Sequence, residues 1–140
     1  MYSMRVKSVM ERKKLLVAPP ETTVAKAAKL MAKKNVGAVM VVAEKLLVGI
    51  FTERDAVFRV IAAGRDPATT TVGEVMTPDP VTVEPAEIFG RVLLAMHEKG
   101  FRHMPVVENG EPVGIVSSRS ALDPEMEEFT AETQRRLSLR

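Results

Sequence analysis

The chain has 140 residues, 46% of them hydrophobic, which is enough for one compact unit with a sizeable core. It contains no cysteine, so disulfides, thiolate metal sites and cysteine nucleophiles are excluded by inventory. Charged residues make up 27% of the chain and nearly cancel, to +2, so neither nucleic-acid phosphates nor a membrane surface is the expected partner. The longest apolar runs, Val36–Ala43 and Leu46–Phe51, fall well short of the roughly 20 residues that cross a bilayer. The opening MYSMRVKSVM lacks the apolar stretch of a secretory signal, and the expected location is the cytoplasm. Basic residues cluster at Arg5, Lys7, Arg12, Lys13 and Lys14 and again at Arg135, Arg136 and Arg140, with no interleaved aromatics; they read as solvated faces.

In chain order, Thr22 or Thr23 is placed to cap a helix whose apolar positions Val24, Ala27, Ala28 and Met31 recur at helical spacing. A strand over Gly37–Val42, a turn at Glu44 and Lys45, and a second strand over Leu46–Phe51 follow. Their unbroken apolar character predicts strands covered on both faces. The run Ala56, Val57, Val60 and Ile61 predicts a second helix, and Ala63–Thr71 a linker.

The series then repeats. Pro20–Val57 aligns without a gap on Pro85–Leu122 at an offset of 65 residues, 85 minus 20. Met31 falls on Met96, Lys34 on Lys99, Val48-Gly49-Ile50 on Val113-Gly114-Ile115 and Arg54 on Arg119. Ser8-Val9-Met10 resembles Glu74-Val75-Met76 at an offset one residue longer. The second hairpin turn contains Asn109-Gly110, a strong hairpin signal that supports the strand assignment in both copies. The predicted fold is α/β, of the α+β kind: a tandem repeat in which each copy has a small sheet flanked by two helices. The copies are assigned to residues 1–67 and 68–125, with a polar helix or tail at 126–140.

At the end of its second strand the first copy reads Gly49-Ile50-Phe51-Thr52-Glu53-Arg54-Asp55. Thr-x-x-Asp ahead of an apolar run is a capping box, and on the residues alone that reading leads. An ionised carboxylate at such a junction can instead accept hydrogen bonds from both hydroxyls of a ribose, with Thr52 adding a hydroxyl.

The tandem repeat, the paired Val-Gly-Ile strands and the sequence GIFTERD closely resemble a pair of CBS (cystathionine-beta-synthase) domains, or Bateman module, from Val6 to Leu122. The resemblance implies that Thr52 and Asp55 hold the ribose of AMP, ATP, NAD or a related adenosyl ligand. The second copy departs from that pattern: it reads GIVSSRS, with Ser120 where Asp55 stands in the first. Serine brings one hydroxyl and no charge, so the second site is expected to be weaker, empty or specialised, with Ser117 or Ser118 serving as a helix cap. Phosphate needs cations, and the candidates are Arg54, Arg119, Arg102 and His103; the resemblance implies that the last two, ahead of the Pro-Val-Val strand, face the shared cleft. It places the base near the backbone of Ala38 and Val39, or of Met104, with apolar walls from Leu16, Val17 or Val81.

His97 has no second metal ligand at suitable spacing and reads as a surface residue, and Met31, Met40, Met96 and Met104 read as core. No base, nucleophile or metal constellation is visible, so the chain is expected not to be an enzyme and to need no catalytic cofactor. The expected partners are the nucleotide, a second copy of the chain and an effector protein; the competing expectation is a scaffold or interaction module that binds no ligand.

Overall fold

The computed structural model describes residues 3–13, 15–118 and 135–136. Strand β1 (Val17–Ala18) leads to helix α1 (Val24–Lys34), started by Thr23, whose side-chain oxygen accepts from the Lys26 N–H at 3.2 Å. Val24, Ala27 and Met31 are buried as their spacing predicts, whereas Ala28 faces solvent. Helix α1 stops at Asn35, which takes the left-handed conformation (φ 56°) that glycine takes at the equivalent Gly100 (φ 71°).

Strands β2 (Ala38–Ala43) and β3 (Leu46–Thr52) form an antiparallel hairpin closed by Glu44 and Lys45, both at positive φ. The second copy repeats this in β5 (His103–Glu108) and β6 (Glu111–Ser117), closed by Asn109 and Gly110, also at positive φ. Both hairpins carry a bulge at the same place, Val41/Val42 and Val106/Val107. The leading extended segments match as well: Ala18 pairs in parallel with Val41, and Val83 with Val106.

The expectation of strands covered on both faces holds for β2. Val39 and Val41 join one core with Ala27, Met31 and Phe51, while Ala38 and Met40 face Ile50 and Ile115 in a cluster between the two hairpins. The second copy's core gathers Phe89, Val92 and Met96 of helix α4 (Phe89–Lys99) around Met104, Val106 and Val116.

The two cores exchange their leading segments. Val6, in a 3-10 turn over Val6–Ser8, is buried in the second copy's core; helix α3 (Val72–Val75) buries Val72 and Val75 in the first copy's core. Strand β4 (Thr77–Pro78) then pairs with β3. This exchange explains the repeated Val-Gly-Ile. A Cβ on Gly49 would overlap the Met76 side chain and lie 3.0 Å from the Thr77 carbonyl oxygen; one on Gly114 would lie 2.7 Å from Met10 Sδ and 3.3 Å from the Glu11 carbonyl oxygen. Both glycines admit the crossing segment of the other copy at close backbone approach.

Past β3 the chain enters a short helix α2 (Glu53–Asp55) that continues as a π-wound segment over Ala56–Ile61. Only Val60 of the predicted apolar positions is fully buried there; Val57 and Ile61 are 49% and 72% exposed. The second flanking helix of the second copy lies outside the described residues, as does the 126–140 segment apart from Arg135 and Arg136, which are helical.

Candidate functional site: the cleft between the repeats

Helices α1 and α4 deliver the heads of β2 and β5 to the junction of the two copies. Gly37 and Ala38 there correspond, 65 residues on, to Arg102 and His103, and Glu53 past β3 corresponds to Ser118 past β6. All of these line one cavity of about 350 Å³. Leu16, Val36, Met40 and Ile115 supply apolar walls, and Glu11, Asn35 and Ser117 polar ones. The cavity lies near the lower end of the usual size range for small-molecule sites, and its lining is more polar than apolar, which suits a compact ligand rich in polar groups.

Of the residues predicted for a ligand, Ala38, Arg102, His103 and Ser117 come together here. Val39 and Met104 are fully buried in the two cores, with their backbones engaged in the hairpin ladders. Val17 is half exposed and stands off the cavity, whose wall is Leu16 instead. Arg54 lies over the Phe58 ring, 4.8 Å from its centroid, and does not line the cavity. Arg119 and Ser120 lie outside the described residues. Sequence reasoning missed Gly37, Met40, Glu11 and Glu53 as lining residues; Glu53 sat in view at a variable position of the motif.

Thr52 and Asp55 form the capping box. Asp55 Oδ2 accepts from the Thr52 N–H at 2.9 Å and from its hydroxyl at 3.2 Å, and the Asp55 N–H donates to Thr52 Oγ1 at 3.4 Å. Asp55 Oδ1 lies 3.5 Å from Arg59 Nε, and the Arg59 guanidinium also donates to the Val75 and Met76 carbonyls. The carboxylate thus ties α2 to the crossing segment from α3. Its immediate product at the cleft is the placement of Glu53, whose N–H donates to the Gly37 carbonyl at 3.1 Å.

Burial depresses the His103 pKa below its usual 6.5; Glu53 opposes that shift, and Arg102 reinforces it. Among the described residues no group of three or more acidic, histidine or cysteine side chains is arranged to hold a metal ion, and no helix is long and apolar enough to cross a membrane.

A family model for the CBS domain matches residues 6–62 and 72–124. The chain belongs to the CBS domain family. The CBS domain-containing protein CBSCBSPB3 of Arabidopsis thaliana is 39% identical over 110 residues, covering 78% of this chain and 20% of that protein, so this chain spans about a fifth of that relative. The CBS domain protein PAE2072 from Pyrobaculum aerophilum, solved complexed with AMP, has a TM-score of 0.75 and 27% identity, covering 84% of this chain and 89% of that one. The CBS domain pair of protein MJ0100, solved in complex with 5′-methylthioadenosine and S-adenosyl-L-methionine, has a TM-score of 0.80 and 26% identity, covering 89% of this chain and 98% of that one. The tandem CBS architecture expected from the 65-residue repeat is therefore the architecture of this chain.

Proposed function

We propose that this CBS pair is a regulatory, non-catalytic module that binds an adenosine-type nucleotide, of the AMP, ATP or NAD class, in the cleft between its repeats. The observation that carries the reading is the convergence of Arg102, His103 and Ser117 with the apolar walls of Leu16, Ala38 and Met40 in one cavity. The adenosyl ligands of the Pyrobaculum protein and of MJ0100 support it. In this reading Arg102 and His103 meet the phosphate and the base lies against the Met40 wall. Thr52 and Asp55 do not line the cavity and Asp55 is buried in the cap, so they hold the sugar only if the cap opens beside the cavity and Asp55 Oδ2 trades its two Thr52 donors for two sugar hydroxyls.

Because the lining comes from both copies, an occupant biases their packing by its differential affinity for the two arrangements, and an effector protein reads that change in the cytoplasm. Val57, Phe58 and Ile61 leave an apolar helix face exposed, which supports association into a homodimer. The internal satisfaction of Asp55 favours a second reading, a scaffold that binds no nucleotide.

A thermal-shift screen with AMP, ADP, ATP, NAD, NADH, S-adenosylmethionine and GTP separates the two. The sensor reading predicts stabilisation of about 2.7 kcal/mol by at least one adenosyl compound at a hundredfold excess over its Kd; a flat response to all of them assigns the chain to the scaffold.

The His103 environment fixes a pH dependence. With no ligand, the neutral imidazole is favoured by folding, so its contribution to stability is lost as pH falls through the depressed pKa. A phosphate beside it favours the charged form, so affinity is expected to rise several-fold as pH falls from 8 and to level off only below the usual histidine range. Phosphate itself titrates near pH 6, so the comparison is with His103→Gln. A profile unchanged by that substitution removes His103 from the site.

A further inference from the structure

The cleft carries an acid that neither core nor the capping box uses. Glu53 is exposed, stands at the first position of α2 and lines the cavity. Its carboxylate and the His103 imidazole cover the same face of Gly37: a Cβ built there would run into Glu53 Oε1 and lie 3.2 Å from His103 Nε2. The duplication makes the arrangement one-sided. Ser118 stands where Glu53 does in the other copy, and Gly37 where Arg102 does, so one wall is anionic and the other cationic. Glu11 adds a second carboxylate to the lining.

Resting on the nucleotide reading above, we propose that Glu53 sets the charge limit of the cleft, admitting an adenosine-type ligand with no more than one phosphate and disfavouring di- and triphosphates. A group that reaches His103 also meets the Glu53 carboxylate. Arg102 and a protonated His103 together offer at most two positive charges, and Glu53 cancels one of them. A monophosphate, at about −1.5 to −2 near neutral pH, already exceeds the single positive charge that remains, and Glu11 reduces that charge further. Every further phosphate adds negative charge that no described cation in the lining offsets, beside the Glu53 carboxylate. The modest cavity, about 350 Å³, acts in the same direction.

Isothermal titration of AMP and of ATP into wild type, Glu53→Gln and Glu21→Gln tests this. Glu21 is exposed and does not line the cavity, so its variant carries the same change in net charge away from the cleft. Wild type is expected to bind AMP at least about tenfold more tightly than ATP, and Glu53→Gln to narrow that ratio by about tenfold, while Glu21→Gln leaves it unchanged. Raising salt on the wild type is expected to narrow the gap as well, a readout that needs no variant. Binding of both nucleotides with a ratio indifferent to Glu53→Gln overturns the role of Glu53 and leaves the nucleotide reading standing; binding of neither overturns both.

Discussion

Replacing Asp55 by alanine is expected to lower the unfolding free energy by about 2 kcal/mol, read as a drop in the urea midpoint at constant m-value. Thr52, the N-cap residue, keeps its own bond to the backbone N–H of residue 55, so that half of the box is retained. The loss comes from leaving the part-buried Thr52 N–H without its acceptor, which costs about 1–3 kcal/mol. The Arg59 pair adds little, since the Arg59 side chain is 51% exposed and water screens it. Asp55→Asn separates the two roles of this residue. The amide oxygen can still accept from Thr52 but brings no charge, so the proposed sugar contact predicts affinity weakened by about tenfold with most of the stability kept. A variant that melts early yet binds nucleotide undiminished assigns Asp55 to the cap alone.

Gly37→Val is expected to abolish nucleotide binding, by a hundredfold or more, while the protein stays folded. Gly37 is not among the glycines at positive φ, so a side chain introduces no backbone strain there, and valine suits the start of a strand. The added atoms go into the cleft itself, against Glu53 and His103, and occupy the wall that both copies share. Glu53 can swing away because it is exposed, whereas His103 is partly buried and its Nε2 lies 3.2 Å from a Cβ at position 37, so the pair cannot be preserved. Unchanged affinity in a folded Gly37→Val protein would place the ligand somewhere other than this junction.

Most of the fold was legible because the sequence states it twice. Lys45 at positive φ is an unpromising turn residue alone, but its partner Gly110 in Asn109-Gly110 makes the hairpin plain in both copies. Ala38, Arg102 and His103 were found through the resemblance to the CBS family, which implies a base beside β2 and cations ahead of the Pro-Val-Val strand. The exchange of leading segments was not legible. It rests on the pairings of Arg5 with Ile88 and Glu11 with Ile115, contacts distant in sequence and made by segments too short to show a hydrophobic period. Glu53 was missed for a related reason: only the tertiary approach of Gly37 to His103 turns a variable motif position into a cleft residue. For Asp55 the same Thr-x-x-Asp serves a cap and a sugar grip, and the cap's partners are always three residues away.

The most direct measurement is a crystal structure of the chain grown with saturating AMP. The account predicts the phosphate on Arg102 and His103 and the adenine against Met40 and Ala38. Nucleotide bound outside this cavity, or a cleft without nucleotide under those conditions, contradicts it.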